Sequence, residues 1–184
     1  VVAGIDIDPT CKYAYETNNK SIFINKDIEK IHYDELIALY PEKSIKILMG
    51  CAPCQPFSNY FLRYKKDGYK DNKWKMLYCF IDLVERIKPD IVSMENVPQL
   101  VKTNVFKDFT NRLQKASYFI NWKIVNCAGY GVPQNRYRLV LLASKFGKIE
   151  LIEPLYNEDN YLTVADAIKS LSPLRDGEIC EFDP

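Results

Sequence analysis

The stretch Ile45-Lys46-Ile47-Leu48-Met49-Gly50-Cys51-Ala52-Pro53-Cys54-Gln55-Pro56-Phe57-Ser58 sets an apolar, strand-length run directly before a glycine and a cysteine bracketed by prolines. Further along, Leu77, Phe80, Ile81, Val84 and Ile87 fall on one helical face, and Pro89 marks that helix's end. A second apolar run at residues 91–94 completes a strand, crossover helix, strand unit. Such a unit places its two strands parallel in one sheet.

Working outward, strand-like runs recur at residues 1–7, 21–24, 45–49, 91–94, 122–125 and 139–143, with helical patterns in most intervals. This alternation predicts an α/β sheet, and runs so apolar predict parallel strands buried on both faces. Phe106, Phe109 and Leu113 mark a second covering helix. After the first strand, Asp8 is placed as a helix N-cap with Pro9 at the first helical position, starting a helix through Tyr15. Only a short loop through Gly129, Gly131 and Pro133 joins the last two strands. It is too short for a crossover, so that pair is expected to be antiparallel. After Ser144 the pattern weakens into a stretch containing Pro, Asn and Asp, followed by a short helix around residues 163–168.

Of the 184 residues, 47% are hydrophobic and 27% charged, which suits one globular domain with a sizeable core. No apolar run is long enough to span a bilayer and no signal peptide precedes Val1, so a cytoplasmic protein without membrane association is expected. Val1-Val2-Ala3-Gly4-Ile5-Asp6-Ile7 reads as a strand already under way, as in an excerpt of a longer chain. With a net charge of +1, nucleic-acid contact must come from local clusters such as Arg63 to Lys75. The irregular spacing of Cys11, Cys51, Cys54, Cys79, Cys127 and Cys180 points to reduced thiols. Cys51 and Cys54 are the only close pair and His32 the single histidine, so no metal site is expected.

Cys54 is expected on the loop at a strand's carboxyl end, the edge of an open α/β sheet where ligands bind. Pro53 and Pro56 limit how far that loop can wander. A free thiol has a pKa of about 8.5, so a nucleophilic cysteine needs its proton taken or its pKa lowered. By local sequence alone, an inert buried cysteine fits as well. Cys51-Ala52-Pro53-Cys54 also matches the C-x-x-C of thiol redox proteins, a reading that leaves Gln55, Glu95 and the arginines without roles. Glu95 follows the strand at residues 91–94 and should emerge at the same edge on an adjacent strand, facing one crevice with Cys54. A carboxylate there is costly unless paired or protonated; a helix-capping or salt-bridged glutamate is the alternative. Arg136 and Arg138, two apart after Gln134, would point to one side of a starting strand. Paired guanidiniums suit phosphate or base carbonyls, surface ion pairs being the alternative. Asp6 is placed as acidic residues are that accept ribose hydroxyls in nucleotide-binding folds, with Asp8 as the other choice. Asp27 and Ile28, after the second strand, are placed to read an adenine edge.

Pro53-Cys54-Gln55, Glu95-Asn96-Val97 and Gln134-Asn135-Arg136-Tyr137-Arg138, in that order, resemble the signature of the bacterial-type DNA (cytosine-5)-methyltransferases. The resemblance covers residues 1–144. It implies a class I S-adenosylmethionine-dependent methyltransferase fold, a Rossmann-like sheet with an antiparallel last hairpin. By this resemblance Cys54 attacks C6 of a flipped cytosine, Pro53 and Gln55 shape its loop, and Glu95 engages N3 and the exocyclic amine. Asn96 and Val97 help hold the loop, while Arg136 and Arg138, with Gln134 beside them, contact the target nucleotide and its surroundings. Asp6 matches the residue that binds the cofactor's ribose and Ile7 the one beside the adenine. Asp27 and Ile28 match the next adenine contact, and Met76 or Leu77 a further one. The implied reaction moves a methyl group from S-adenosylmethionine to C5 of cytosine through a covalent cysteine adduct, leaving S-adenosylhomocysteine. Double-stranded DNA is the implied partner, with a cognate restriction endonuclease as a second.

Other parts of the family pattern have no counterpart in these residues: an opening strand with an F-x-G-x-G loop, the later motifs and most of the target-recognition region. Residues 1–144 thus correspond to the middle of the catalytic domain. Residues 145–184 correspond to the start of the variable segment leading to the recognition region. In that fold the first strand lies between those at residues 1–7 and 45–49, so a gap is expected there. A tRNA cytosine-C5 methyltransferase of the same fold shares these motifs. From other classes come a non-catalytic nucleic-acid-binding relative, against which the retention of Cys54, Glu95 and both arginines argues, and the C-x-x-C redox protein.

Overall fold

The computed structural model describes residues 1–53 and 74–178. They divide into two compact units, one of Val1–Lys123 with Leu139–Leu151, the other of Ile124–Arg138 with the residues from Ile152 onward.

In the first unit β1 (Ala3–Asp6), α1 (Cys11–Asn19) and β2 (Ile22–Asn25) form a parallel pair with its crossover, Asp6 opposite Asn25. A 3-10 turn at Ile28–Lys30 and α2 (Tyr33–Ile37) lead to β3 (Ile47–Gly50). Helix α3 (Lys75–Ile87) then precedes β4 (Ile91–Asn96), which runs parallel to β3 with Gly50 opposite Met94. Helix α4 (Asn104–Lys115) leads to β5 (Phe119–Asn126), and β6 (Tyr137–Ser144) returns between β4 and β5, antiparallel to β4. The strand order is β1-β2 in one sheet and β3-β4-β6-β5 in the other. Among the described residues, β1 and β3 each have a strand neighbour on one side only.

The core forms where the helical faces read from the sequence meet the sheet. Leu77, Phe80, Ile81 and Val84 of α3 and Phe106, Phe109 and Leu113 of α4 are buried against Val92 and Met94 of β4 and Leu139, Leu141 and Ala143 of β6. Removing each such large side chain from water contributes about 1.5–3 kcal/mol. Phe80 stacks on Phe109 with ring centroids 6.0 Å apart. The same ring explains Gly50, where a Cβ would stand 2.6 Å from Phe80. A smaller cluster around Ile31, Leu36, Leu83 and Ile87 takes in Ile5 of β1 and Leu48 of β3, so both sheets lean on it.

The first helix starts later than expected. Asp8 Oδ1 accepts from Thr10 N at 2.9 Å and from Thr10 Oγ1 at 2.7 Å, closing a turn ahead of the helix. Thr10 is therefore the N-cap, and α1 runs to Asn19 rather than ending at Tyr15. Strand β4 continues through Glu95 and Asn96 because β6 pairs with both, Val140 opposite Glu95 and Leu139 opposite Asn96. Burial on both faces holds for neither β1 nor β3: Ile47 and Met49 are 49% and 65% exposed, while Leu48 between them packs inward.

The second unit is built around a 3-10 turn at Cys127–Tyr130. The amides of Leu155 and Tyr156 both donate to the Gly129 carbonyl, at 2.8 and 3.1 Å. The expected late helix is present as α5 (Val164–Ile168), with Thr163 Oγ1 accepting from Asp166 N at 3.2 Å and the Asp166 carboxylate accepting from Thr163 N at 3.0 Å. No described helix is long and apolar enough to cross a membrane.

Candidate active site

The register of β3 against β4 sets the site. Because Gly50 lies opposite Met94, the next residues bring Cys51 beside Glu95 and Ala52 beside Asn96. Both pairs make contact: Cys51 Sγ donates to Glu95 Oε2 at 2.7 Å, and Asn96 Nδ2 donates to the Ala52 carbonyl at 3.0 Å. Asn96 is 5% exposed, and its Oδ1 accepts from Val97 N at 2.9 Å, so both ends of the buried amide are bonded. Side chains alternate along a strand. Val92, Met94 and Asn96 are buried, whereas Ile91, Ser93 and Glu95 point to the other face and remain partly exposed. Glu95 is thus held on the sheet's open side at the end of β4, next to Cys51 and Ala52. The described chain stops at Pro53; Cys54 and Gln55 lie outside the described residues.

A second group of polar atoms gathers at the carboxyl ends of β1 and β2. The Asp6 side chain is exposed and its Oδ1 accepts from Asp8 N at 2.9 Å. Asn25 Nδ2 donates to the carbonyls of Asp6 and Ile7, at 3.1 and 2.9 Å, and Lys26 N donates to the Asp6 carbonyl at 3.1 Å. These bonds fix the turn and leave Ile7 67% exposed beside it. Asp8 is engaged with Thr10, whose hydroxyl and then amide hold the Asp8 carboxyl below its usual range. Asp27 accepts from Glu29 N at 3.0 Å and so caps the 3-10 turn, while Ile28 packs partly into the smaller cluster. Leu77 is 3% exposed and belongs to the main core, whereas Met76 is only partly buried near the start of α3.

In the second unit, Gln134, Arg136 and Arg138 stand where β6 begins. Arg136 is exposed and precedes the strand; its N donates to Asn126 Oδ1 at 3.2 Å and its carbonyl accepts from Cys127 N at 2.9 Å. Gln134 is exposed, and Arg138, partly buried, donates to the Tyr137 carbonyl at 2.8 Å. Two contributors escaped the sequence reading. Asn25 shows no local signal, because its partners lie 18 and 19 residues earlier. Cys51 was read only as half of C-x-x-C, since its contact with Glu95 depends on a strand register that a single sequence does not fix.

The model of the C-5 cytosine-specific DNA methylase family matches residues 1–177. The chain belongs to that family. This methylase-family chain is 47% identical over 186 aligned residues to the Type II methylase M.HgiDII of Herpetosiphon aurantiacus, covering 100% of the chain and 51% of that protein. It is 32% identical over 177 residues to the Type II methyltransferase M.XorII of Xanthomonas oryzae pv. oryzae, covering 91% of the chain and 40% of that protein. The chain therefore spans about half the length, or less, of these curated relatives. Among solved structures, a prophage-encoded E. coli protein titled a putative DNA modification methyltransferase gives a TM-score of 0.74 at 21% identity, over 95% of this chain and 49% of that one. The Dnmt2 methyltransferase of S. pombe gives 0.64 at 19% identity, over 82% and 43%. These likenesses establish the class I methyltransferase fold of the methylase-family chain.

Proposed function

We propose that this protein methylates C5 of cytosine in DNA, using S-adenosylmethionine as donor and Cys54 as nucleophile, within a restriction–modification pair. One observation carries the reading: Asn96 bonds the Ala52 carbonyl beside Glu95, tying the chain that enters Pro53-Cys54-Gln55 to the strand that bears the glutamate. The Type II names of the relatives support DNA as substrate and a cognate endonuclease as partner.

The chemistry accounts for each residue. C5 of cytosine is a weak nucleophile inside its ring. Addition of the Cys54 thiolate at C6 forms a C–S bond and shifts the ring electron pair to C5, while Glu95 holds a proton at N3 and accepts a hydrogen bond from the exocyclic amine. Once C5 carries the methyl group, a base takes the C5 proton, the C5–C6 double bond re-forms and the sulfur leaves with its electron pair. The target base must leave the helix for this, at a cost of a few kcal/mol. Arg136 and Arg138, with Gln134, would hold the extruded nucleotide and its phosphates.

The residues at the ends of β1 and β2 suit the donor. Asp6 offers an exposed carboxylate for ribose hydroxyls, Ile7 an exposed apolar surface for the adenine, and Asp27 with Ile28 a second acceptor and apolar pair; Met76 would add a contact from α3. When bound, S-adenosylmethionine supplies an electrophilic methyl on a sulfonium.

Bisulfite sequencing of DNA from cells expressing the full-length gene product tests the reading. Protection of cytosine at one recognition sequence by the wild type, lost in Cys54→Ala, is expected. Complete conversion of DNA in both refutes it, and protection confined to tRNA would move the substrate.

A further inference from the structure

The methyltransferase reading assigns a task to Cys54 and Glu95 and none to Cys51. We propose that Cys51 is a positioning residue, its thiol holding the Glu95 carboxylate in the orientation that meets the cytosine ring; this rests on the function proposed above. The sulfur lies 2.7 Å from Glu95 Oε2. The contact is enforced on its flank, because the adjacent pair, Ala52 and Asn96, is bonded at 3.0 Å. A thiol is a weak donor, but its bond strengthens when the acceptor is a carboxylate. The thiol meets Glu95 through Oε2, and each carboxylate oxygen has two acceptor positions, so this contact and one to a base are compatible.

The pairing also separates the two cysteines of C-x-x-C. In this contact the thiol is the donor, so Cys51 is engaged with Glu95 and the nucleophile's role falls to Cys54. A serine hydroxyl, carried on a shorter Cβ–O bond, would stand about 3 Å from Glu95, at the outer edge of an O–H···O bond. Serine at this position therefore keeps a donor within reach and alanine removes it.

Two readouts on the full-length gene product test the proposal. In single-turnover methyl transfer at saturating DNA and cofactor, Cys51→Ala should lower the rate about threefold to tenfold, as loss of one hydrogen bond does, with DNA affinity changed less than about twofold. Cys51→Ser should restore the rate. In the second arm, iodoacetamide labelling read by mass spectrometry should proceed at least about threefold faster at Cys51 in Glu95→Gln, since the neighbouring charge is gone. Equal rate losses in both Cys51 variants, no loss in either, or unchanged labelling in Glu95→Gln overturns the positioning role. A wild-type protein that transfers no methyl group overturns the proposed function instead, while the labelling arm still reports on the contact.

Discussion

Replacing Asn96 tests how the chain at Ala52 is held against β4. Asn96→Ala removes the donor to the Ala52 carbonyl and the acceptor of the Val97 amide, both within a side chain that is 5% exposed. One net hydrogen bond is worth about 1 kcal/mol, and leaving partly buried partners unsatisfied adds a similar amount, so a loss of about 2 kcal/mol is expected. For a chain of this size that lowers the thermal midpoint by about 4–8 °C. Asn96→Asp keeps the shape and the acceptor but sets an oxygen against the Ala52 carbonyl and buries a charge, so it should cost more, roughly 3 kcal/mol. Burial raises the pKa of the introduced carboxyl above its unfolded value. Its destabilisation should therefore be full at neutral pH and shrink as pH falls, because protonation restores a donor. Thermal unfolding followed by circular dichroism from pH 7 to pH 4 measures both variants. An aspartate variant as stable as wild type at pH 7 would refute the reasoning, since it would mean the amide donates nothing to the Ala52 carbonyl.

Three further outcomes follow from the structure. Gly50→Ala places a Cβ 2.6 Å from Phe80, a ring 4% exposed and stacked on Phe109, and should destabilise by about 1–3 kcal/mol in chemical denaturation; Phe80→Leu in the same chain should recover part of that loss. Asp6→Ala should weaken S-adenosylmethionine binding by about 1.5–3 kcal/mol in calorimetric titration while DNA affinity holds, as expected for a lost charge-assisted bond; unchanged cofactor affinity would contradict the role. The Arg112 guanidinium holds the Glu85 carboxyl below its ordinary value of 4.5, so that pair stabilises above the unfolded value and its contribution fades as pH falls through the lower folded one. The midpoint gap between wild type and Glu85→Gln should accordingly close on acidification below about pH 4.5, and a gap that widens would reverse the assignment.

The sequence announced its buried elements more clearly than its edges. The faces of α3 and α4 were legible because Leu77, Phe80, Ile81, Val84, Phe106, Phe109 and Leu113 repeat at helical spacing and all reach the core. Asp8 misled because its side chain bonds Thr10 within a turn, a local competitor to capping that the pattern Asp-Pro does not separate from it. Glu95 and Asn96 were expected beyond the strand, yet β6 extends the ladder over both, a non-local pairing. Ile47 and Met49 look like a strand buried on both faces, but exposure depends on what covers the sheet, which composition does not record. For the candidate site, residue types and order marked Glu95, Asn96 and Asp6. The contacts through Cys51 and Asn25 come from strand register and were hidden for that reason.

The central claim is that Cys54 bonds covalently to the base it methylates, and a target cytosine bearing fluorine at C5 tests it most directly. Once methylated, that base has no C5 proton to lose, so the sulfur cannot be eliminated and the protein should remain attached. The account predicts an adduct of the full-length gene product that requires S-adenosylmethionine, survives denaturing electrophoresis and maps by tryptic mass spectrometry to Cys54. It should vanish in Cys54→Ala and persist in Cys51→Ala, because a nucleophile needs one thiol and a redox pair needs two. No adduct on a sequence that the protein methylates, or equal dependence on Cys51, would contradict it.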